Sequence, residues 1–128
     1  MNVFCLDNAF VEGPIRGKKV FLPGRQGITT IVVDLDQTVA SRVDSLSLEG
    51  NPVKTIEGAG KLKGVKDVYC DNCGLDVVPL WVKALSAVEE VSFDNDNDNN
   101  NNDIKELPSW LLEMKTLKTV YIGHNKGE

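Results

Sequence analysis

VKDVYCDNCGLDVVPLWVKALSA, Val65 to Ala87, opens with apolar residues at its first, fourth and sixth positions, Val65, Val68 and Cys70. Leu75 follows at the eleventh, and the remainder carries Val78-Pro79, Trp81 and Leu85. Alternation over the opening residues marks a short strand that buries one side. Beyond Leu75 the proline ends strand-like structure and starts a return path of another kind. One such unit offers a single apolar edge that it cannot bury alone, so it needs neighbours of the same kind.

The flanking sequence supplies them. VDSLSLEGNPVKTIEGAGKLKG, Val43 to Gly64, places Val43, Leu46 and Leu48 at the same positions, with Val53 at the eleventh. Downstream the trios are Val88, Val91 and Phe93, then Leu117, Val120 and Ile122. The ninth position is Asn51, Cys73 and, in the last unit, Asn125. FDNDNDNNNNDI, Phe93 to Ile104, interrupts the third unit with an unbroken Asp/Asn run, Asp94 to Asp103. Removing six of its residues puts Ile104 at the eleventh position, Leu107-Pro108 on Val78-Pro79, Trp110 on Trp81 and Met114 on Leu85. Units then begin at residues 43, 65, 88 and 117, with lengths of 22, 23 and 23. Self-similarity of this period is the signature of stacked repeats, and it makes 94–103 a loop insertion within 43–128 and no domain boundary.

Four units in register resemble the leucine-rich repeat family, whose pattern LxxLxLxx(N/C)xL is followed by a proline-containing segment. The resemblance covers about residues 43–125. It implies an α/β solenoid with a parallel concave β-sheet and an irregular or helical convex side. It further implies that the Asn or Cys at the ninth position bonds the turn backbone between coils, and that the protein binds other proteins without catalysis. Recognition, adaptor and inhibitor roles all fit.

Residues 1–42 do not follow the period. Lys19 to Leu22 and Thr29 to Leu35 read as β runs separated by the turn-prone PGRQG, which predicts a hairpin-like β cap over the first coil. Within the second run, TIVVDLDQTVAS resembles the first motif of the haloacid dehalogenase family, a strand followed by D-x-D-x-T. That resemblance would make Asp34 a nucleophile and Asp36 an acid/base beside Thr38 in a magnesium-dependent phosphatase. YIGHNKGE is similar to the family's later acidic motif, except that His124 stands where an Asp is expected. The repeat occupies the following residues and leaves little chain for a doubly wound sheet, so the carboxylates read more simply as part of a cap strand.

Other motifs have plain readings. Cys70 and Cys73 form a C-x-x-C, but in register one points inward and the other takes the Asn/Cys position, while Cys5 and His124 have no spacing that completes a zinc site. The Asn/Asp run resembles the start of an EF-hand, with Asp94, Asp96, Asp98, Asn100 and Asn102 as ligands. Asn99 stands where that loop needs glycine and Lys105 where it needs a bidentate glutamate. No cofactor, structured metal site or catalytic constellation is therefore expected, and weak calcium binding by the Asn/Asp loop stands as an alternative beside the phosphatase reading.

Composition narrows the partner. Hydrophobic residues at 41% and charged residues at 26% suit a globular chain, not a disordered one. Residues 1–42 carry five Lys/Arg against four Asp/Glu, and residues 43–128 carry nine against fifteen. The acidic part disfavours nucleic acid, which is held through clustered Lys/Arg. No apolar run reaches membrane-spanning length, the N-terminus lacks a signal-peptide pattern, and three cysteines make no disulfide framework, so a cytoplasmic protein is expected.

Alternation also names the outward strand residues. Asp67, Tyr69, Asp71, Glu89, Glu90, Ser92, Asp94, Lys118 and Tyr121 are the candidate contacts on an acidic face that would take a basic protein surface. The fourth strand is expected to leave an uncapped edge open to self-association.

Overall fold

In the computed structural model, residues 3–7, 18–22, 26–95 and 102–123 are described. The chain is α/β: short parallel strands in two sheets, with few and brief helices. A five-stranded sheet runs β2 (Lys18–Phe21), β4 (Val43–Ser47), β6 (Asp67–Tyr69), β7 (Glu90–Ser92), β8 (Thr119–Tyr121). A three-stranded sheet runs β1 (Val3–Asp7), β3 (Thr30–Asp34), β5 (Thr55–Glu57). As far as β5 the chain visits the two sheets alternately, so neighbouring strands are joined by a full circuit, as parallel pairing requires. Beyond β6 the return path carries a 3₁₀ turn at Leu80–Ala84 and then helix α2 (Ser109–Leu112) in place of a strand. Helix α1 (Gln37–Ala40) lies between β3 and β4.

Register shows why these residues form strands. Val20, Leu46, Val68, Val91 and Val120 stand in one row across the larger sheet. Four of the five are at most 1% exposed, and Val120 is half-buried in the last strand. Leu22, Leu48, Cys70 and Phe93 follow two residues later, all buried. Ile31, Val33 and Ile56 from the smaller sheet are buried in the same core. Leu6, Val20, Ile31, Leu46, Ile56 and Leu62 converge on one region between the sheets. Each such side chain contributes about 1.5–3 kcal/mol on burial, so the inward rows hold consecutive circuits together.

The N-terminal hairpin is corrected. Both predicted runs are strands, but β2 pairs in parallel with β4, and β3 pairs in parallel with β1 and β5. The physical reason is the side-chain pattern: Val20 and Leu22 point inward like Leu46 and Leu48, so β2 fits the edge of the larger sheet. β3 is apolar at Ile31 and Val33 and fits the smaller one. Pairing of β2 with β4 thus crosses the expected boundary between 42 and 43.

Turns after the strands share one chemistry. Gly50 and Asn72 occupy equivalent positions with φ of 80° and 55°, the left-handed region where glycine and asparagine are best tolerated. The next residue in these two circuits, and Asn102 after the insertion in the third, turns its side chain into the molecule. Asn51 Oδ1 accepts from the Gln26 and Ile28 amides. Cys73 Sγ donates to Leu48 O at 3.2 Å. Asn102 Nδ2 donates to Cys70 O and Phe93 O at 2.9 and 3.1 Å, and its Oδ1 accepts from Leu75 N.

Candidate functional site

The outer face of the five-stranded sheet brings most of the expected contact residues together. One row reads Lys19, Ser45, Asp67, Glu90, Thr119, and the row two residues further along reads Phe21, Ser47, Tyr69, Ser92, Tyr121. Backbone bonds from Lys66 N to Asp44 O, Glu89 N to Lys66 O and Lys118 N to Glu89 O align a third row, Asp44, Lys66, Glu89 and Lys118. Strand alternation turns the first two rows away from the core.

Charge is concentrated at the centre. Burial, then Glu90, Asp44 and Glu89 in decreasing order, hold the Asp67 carboxyl above its ordinary range, with Lys19 opposing. Tyr69 donates its hydroxyl to Glu90 Oε2 at 3.2 Å. Partial burial, then that bond and the neighbouring acids, push the phenol upward too. Asp44 Oδ1 is enclosed without a hydrogen-bond partner among the described residues. Glu89 meets Lys118 at 3.7 Å, but the lysine side chain is 74% exposed, so water screens the pair and it neutralises little.

Three expected contacts are committed inside the face. Ser92 is 4% exposed and donates its hydroxyl to Asp71 Oδ1, which also accepts from Asp94 N at 2.9 Å. Asp94 Oδ1 accepts from Gly123 N at 2.6 Å. These bonds tie each circuit to the next. Conversely, Lys19 and the 63% exposed Phe21 join the face from β2. Their signal was the Val20/Leu22 alternation, obscured because Val20 and Leu46 are 26 residues apart, against 22 for Leu46 and Val68, and Arg25 stands where an Asn or Cys is expected.

The remaining motifs are distributed elsewhere. Asp34 ends β3 and is exposed, while Asp36 accepts from Val39 N at 2.9 Å as the cap of α1. The acid/base of a phosphatase reading is thus engaged with backbone. Cys70 and Cys73 are both buried, and contact with Cys73 followed by burial pushes the Cys70 thiol well above the ordinary cysteine range. Asp96, Asp98, Asn100 and His124 lie outside the described residues. Among the described residues no group of three or more His, Cys, Asp or Glu is placed to hold a metal ion. Nor is any described helix long and apolar enough to cross a membrane. No family model, curated protein or solved structure matches the chain.

Proposed function

We propose that the chain is a small leucine-rich-repeat solenoid that binds a basic protein partner on the concave face of its larger sheet, without catalysis. The reading is supported above all by Asp67. Its carboxyl is held up by burial and then by Glu90, Asp44 and Glu89, which Lys19 opposes, so acids crowd the centre of the face although Lys66 and Lys118 also lie on it. A lysine or arginine from outside would relieve that repulsion, giving speed and selectivity of encounter more than raw affinity. Exposed aromatic rings beside the carboxylates add the apolar anchors that interfaces favour.

Affinity capture compares the wild-type chain with Glu89→Lys/Glu90→Lys/Tyr69→Ala. A specific partner retained by the first and lost by the folded variant is the expected result. Equal retention would move the interface to another surface, and a phosphatase activity abolished by Asp34→Asn would replace binding with hydrolysis.

A second contact surface is the outer edge of β8. Thr119 N donates to Glu89 O and Tyr121 O accepts from Phe93 N, so the backbone groups of Val120 point away from β7. Leu117, Val120 and Ile122 are only half-buried. We propose that this edge supports self-association.

A further inference from the structure

Phe21, Ser47, Tyr69, Ser92 and Tyr121 stand in register across the five strands of the larger sheet. An aromatic side chain therefore rises from every second strand, with a serine on each strand between. Strands lie about 4.8 Å apart, so the rings recur about every 9.6 Å. Phe21 is 63% and Tyr121 45% exposed, and the Glu90 bond holds Tyr69 in place between them. Ser92 at 4% exposed lies beneath its neighbours, Ser47 and Tyr69 are half-buried, and the larger Tyr69 ring stands between the two exposed ones. A single exposed ring needs no explanation. Two exposed rings with a third half-buried between them at a constant interval on one row do.

We infer that this row is a track for a basic segment in the polyproline II conformation, a proposal that rests on the acidic-face reading and names its ligand. Polyproline II turns once in three residues and advances about 9.3 Å per turn, which leaves a mismatch of about 0.6 Å over the two ring intervals. An extended strand presents the same side about every 6.7 Å, so three repeats reach the outer rings within about 1 Å but none falls on the middle one. Two turns of α-helix advance about 10.8 Å, an error of about 2.4 Å over the same distance. Every third residue of a polyproline II segment can therefore rest on one ring. Proline is the natural occupant, because its apolar ring packs on aromatic faces and its restricted backbone has little entropy left to lose. Asp67 and Glu90 lie in the adjacent row, so the residues between ring contacts meet carboxylates and are best lysine or arginine.

The test uses the whole chain and three peptides of equal charge magnitude and about nine residues, roughly three turns: a Lys-Pro-Pro repeat, a Lys-Gly-Gly repeat, and a Glu-Pro-Pro repeat of opposite sign. A helical alanine-rich lysine peptide is the fourth arm. Binding is read by titration calorimetry at low salt, with thermal melts to show that each variant is folded. Lys-Pro-Pro is expected to bind about tenfold tighter than Lys-Gly-Gly through preorganisation. Phe21→Ala and Tyr121→Ala should each remove much of that advantage while leaving Lys-Gly-Gly unchanged. Equal binding of the two lysine repeats, indifferent to the rings, overturns the track and leaves the acidic face standing. Tightest binding of the helical peptide, or Glu-Pro-Pro binding as well as Lys-Pro-Pro, also overturns it. If no lysine peptide binds, the acidic-face reading falls with it.

Discussion

Asn95 and Asn102 bind each other reciprocally: Asn102 N donates to Asn95 Oδ1 at 2.6 Å, and Asn95 Nδ2 donates to Asn102 O at 2.7 Å. Residues 95 and 102, which bracket the insertion in sequence, are thus held together directly. Asn102 occupies the place that Asn51 and Cys73 hold in earlier circuits, each directly after its turn residue. Deleting 96–101 restores that adjacency and is expected to change unfolding free energy by less than about 1 kcal/mol, because loop length enters only logarithmically. Asn102→Ala removes the side-chain bonds to Cys70 O, Phe93 O and Leu75 N at a site 2% exposed and should cost about 3 kcal/mol. Urea titration of both variants separates a dispensable insertion from an essential base.

Trp81 and Trp110 sit at equivalent places in sequence but in different surroundings. Trp81 is 6% exposed and donates Nε1 to Val53 O at 3.0 Å, whereas Trp110 is half-buried. Trp81→Phe loses the donor and strands a buried carbonyl, and is expected to cost about 1–3 kcal/mol. Trp110→Phe should cost less than about 1 kcal/mol, as substitutions near a surface usually do. Equal losses in denaturant titrations would mean that the third unit is as well covered as the second.

Strand placement was legible from Val43 onward because apolar period alone sets which side of a strand is buried, and Leu46, Val68, Val91 and Val120 do line up in register. The smaller sheet was not legible. Val3–Asp7 and Thr55–Glu57 are too short and too ambiguous in pattern to announce a parallel partner, and their pairing with β3 is set by circuits that return to the same place. At the candidate site, alternation identified which residues face out but not which are already bonded. Asp71 and Asp94 carry no sequence mark distinguishing them from Asp67, yet their carboxylates close contacts between circuits while that of Asp67 faces like charges.

The outer edge of β8 is testable through Val120. Its N–H points away from β7, so proline there removes a donor only from the open side, the position in which an edge strand tolerates it. Sedimentation of the wild-type chain should show an average mass that rises with concentration. Val120→Pro should weaken that association at least about tenfold while leaving a folded monomer. A wild-type chain that stays monomeric across the concentration range would remove self-association from the proposed function.

Asp67 links stability, pH and binding. Burial and the neighbouring acids raise its folded-state pKa above the ordinary 3.8, so between those two values the folded chain holds a proton that the unfolded chain has released. Stability therefore falls as pH rises through that window, and the loss is complete at neutral pH. Asp67→Asn should raise the melting temperature at pH 7, with the gain vanishing below pH 3.8, where the aspartate is protonated in both states. A gain of the same size at pH 3, or none at pH 7, would show that burial and the neighbouring acids do not penalise the ionised carboxylate of this residue. The same substitution should weaken binding of a lysine-rich peptide, because the charge that destabilises the free face is the charge the partner neutralises. Retention of such an unfavourable residue is expected where function and stability pull in opposite directions. A variant both more stable at pH 7 and weaker in peptide binding would place Asp67 at that balance. Greater stability with unchanged peptide affinity would put the partner's basic groups elsewhere on the sheet.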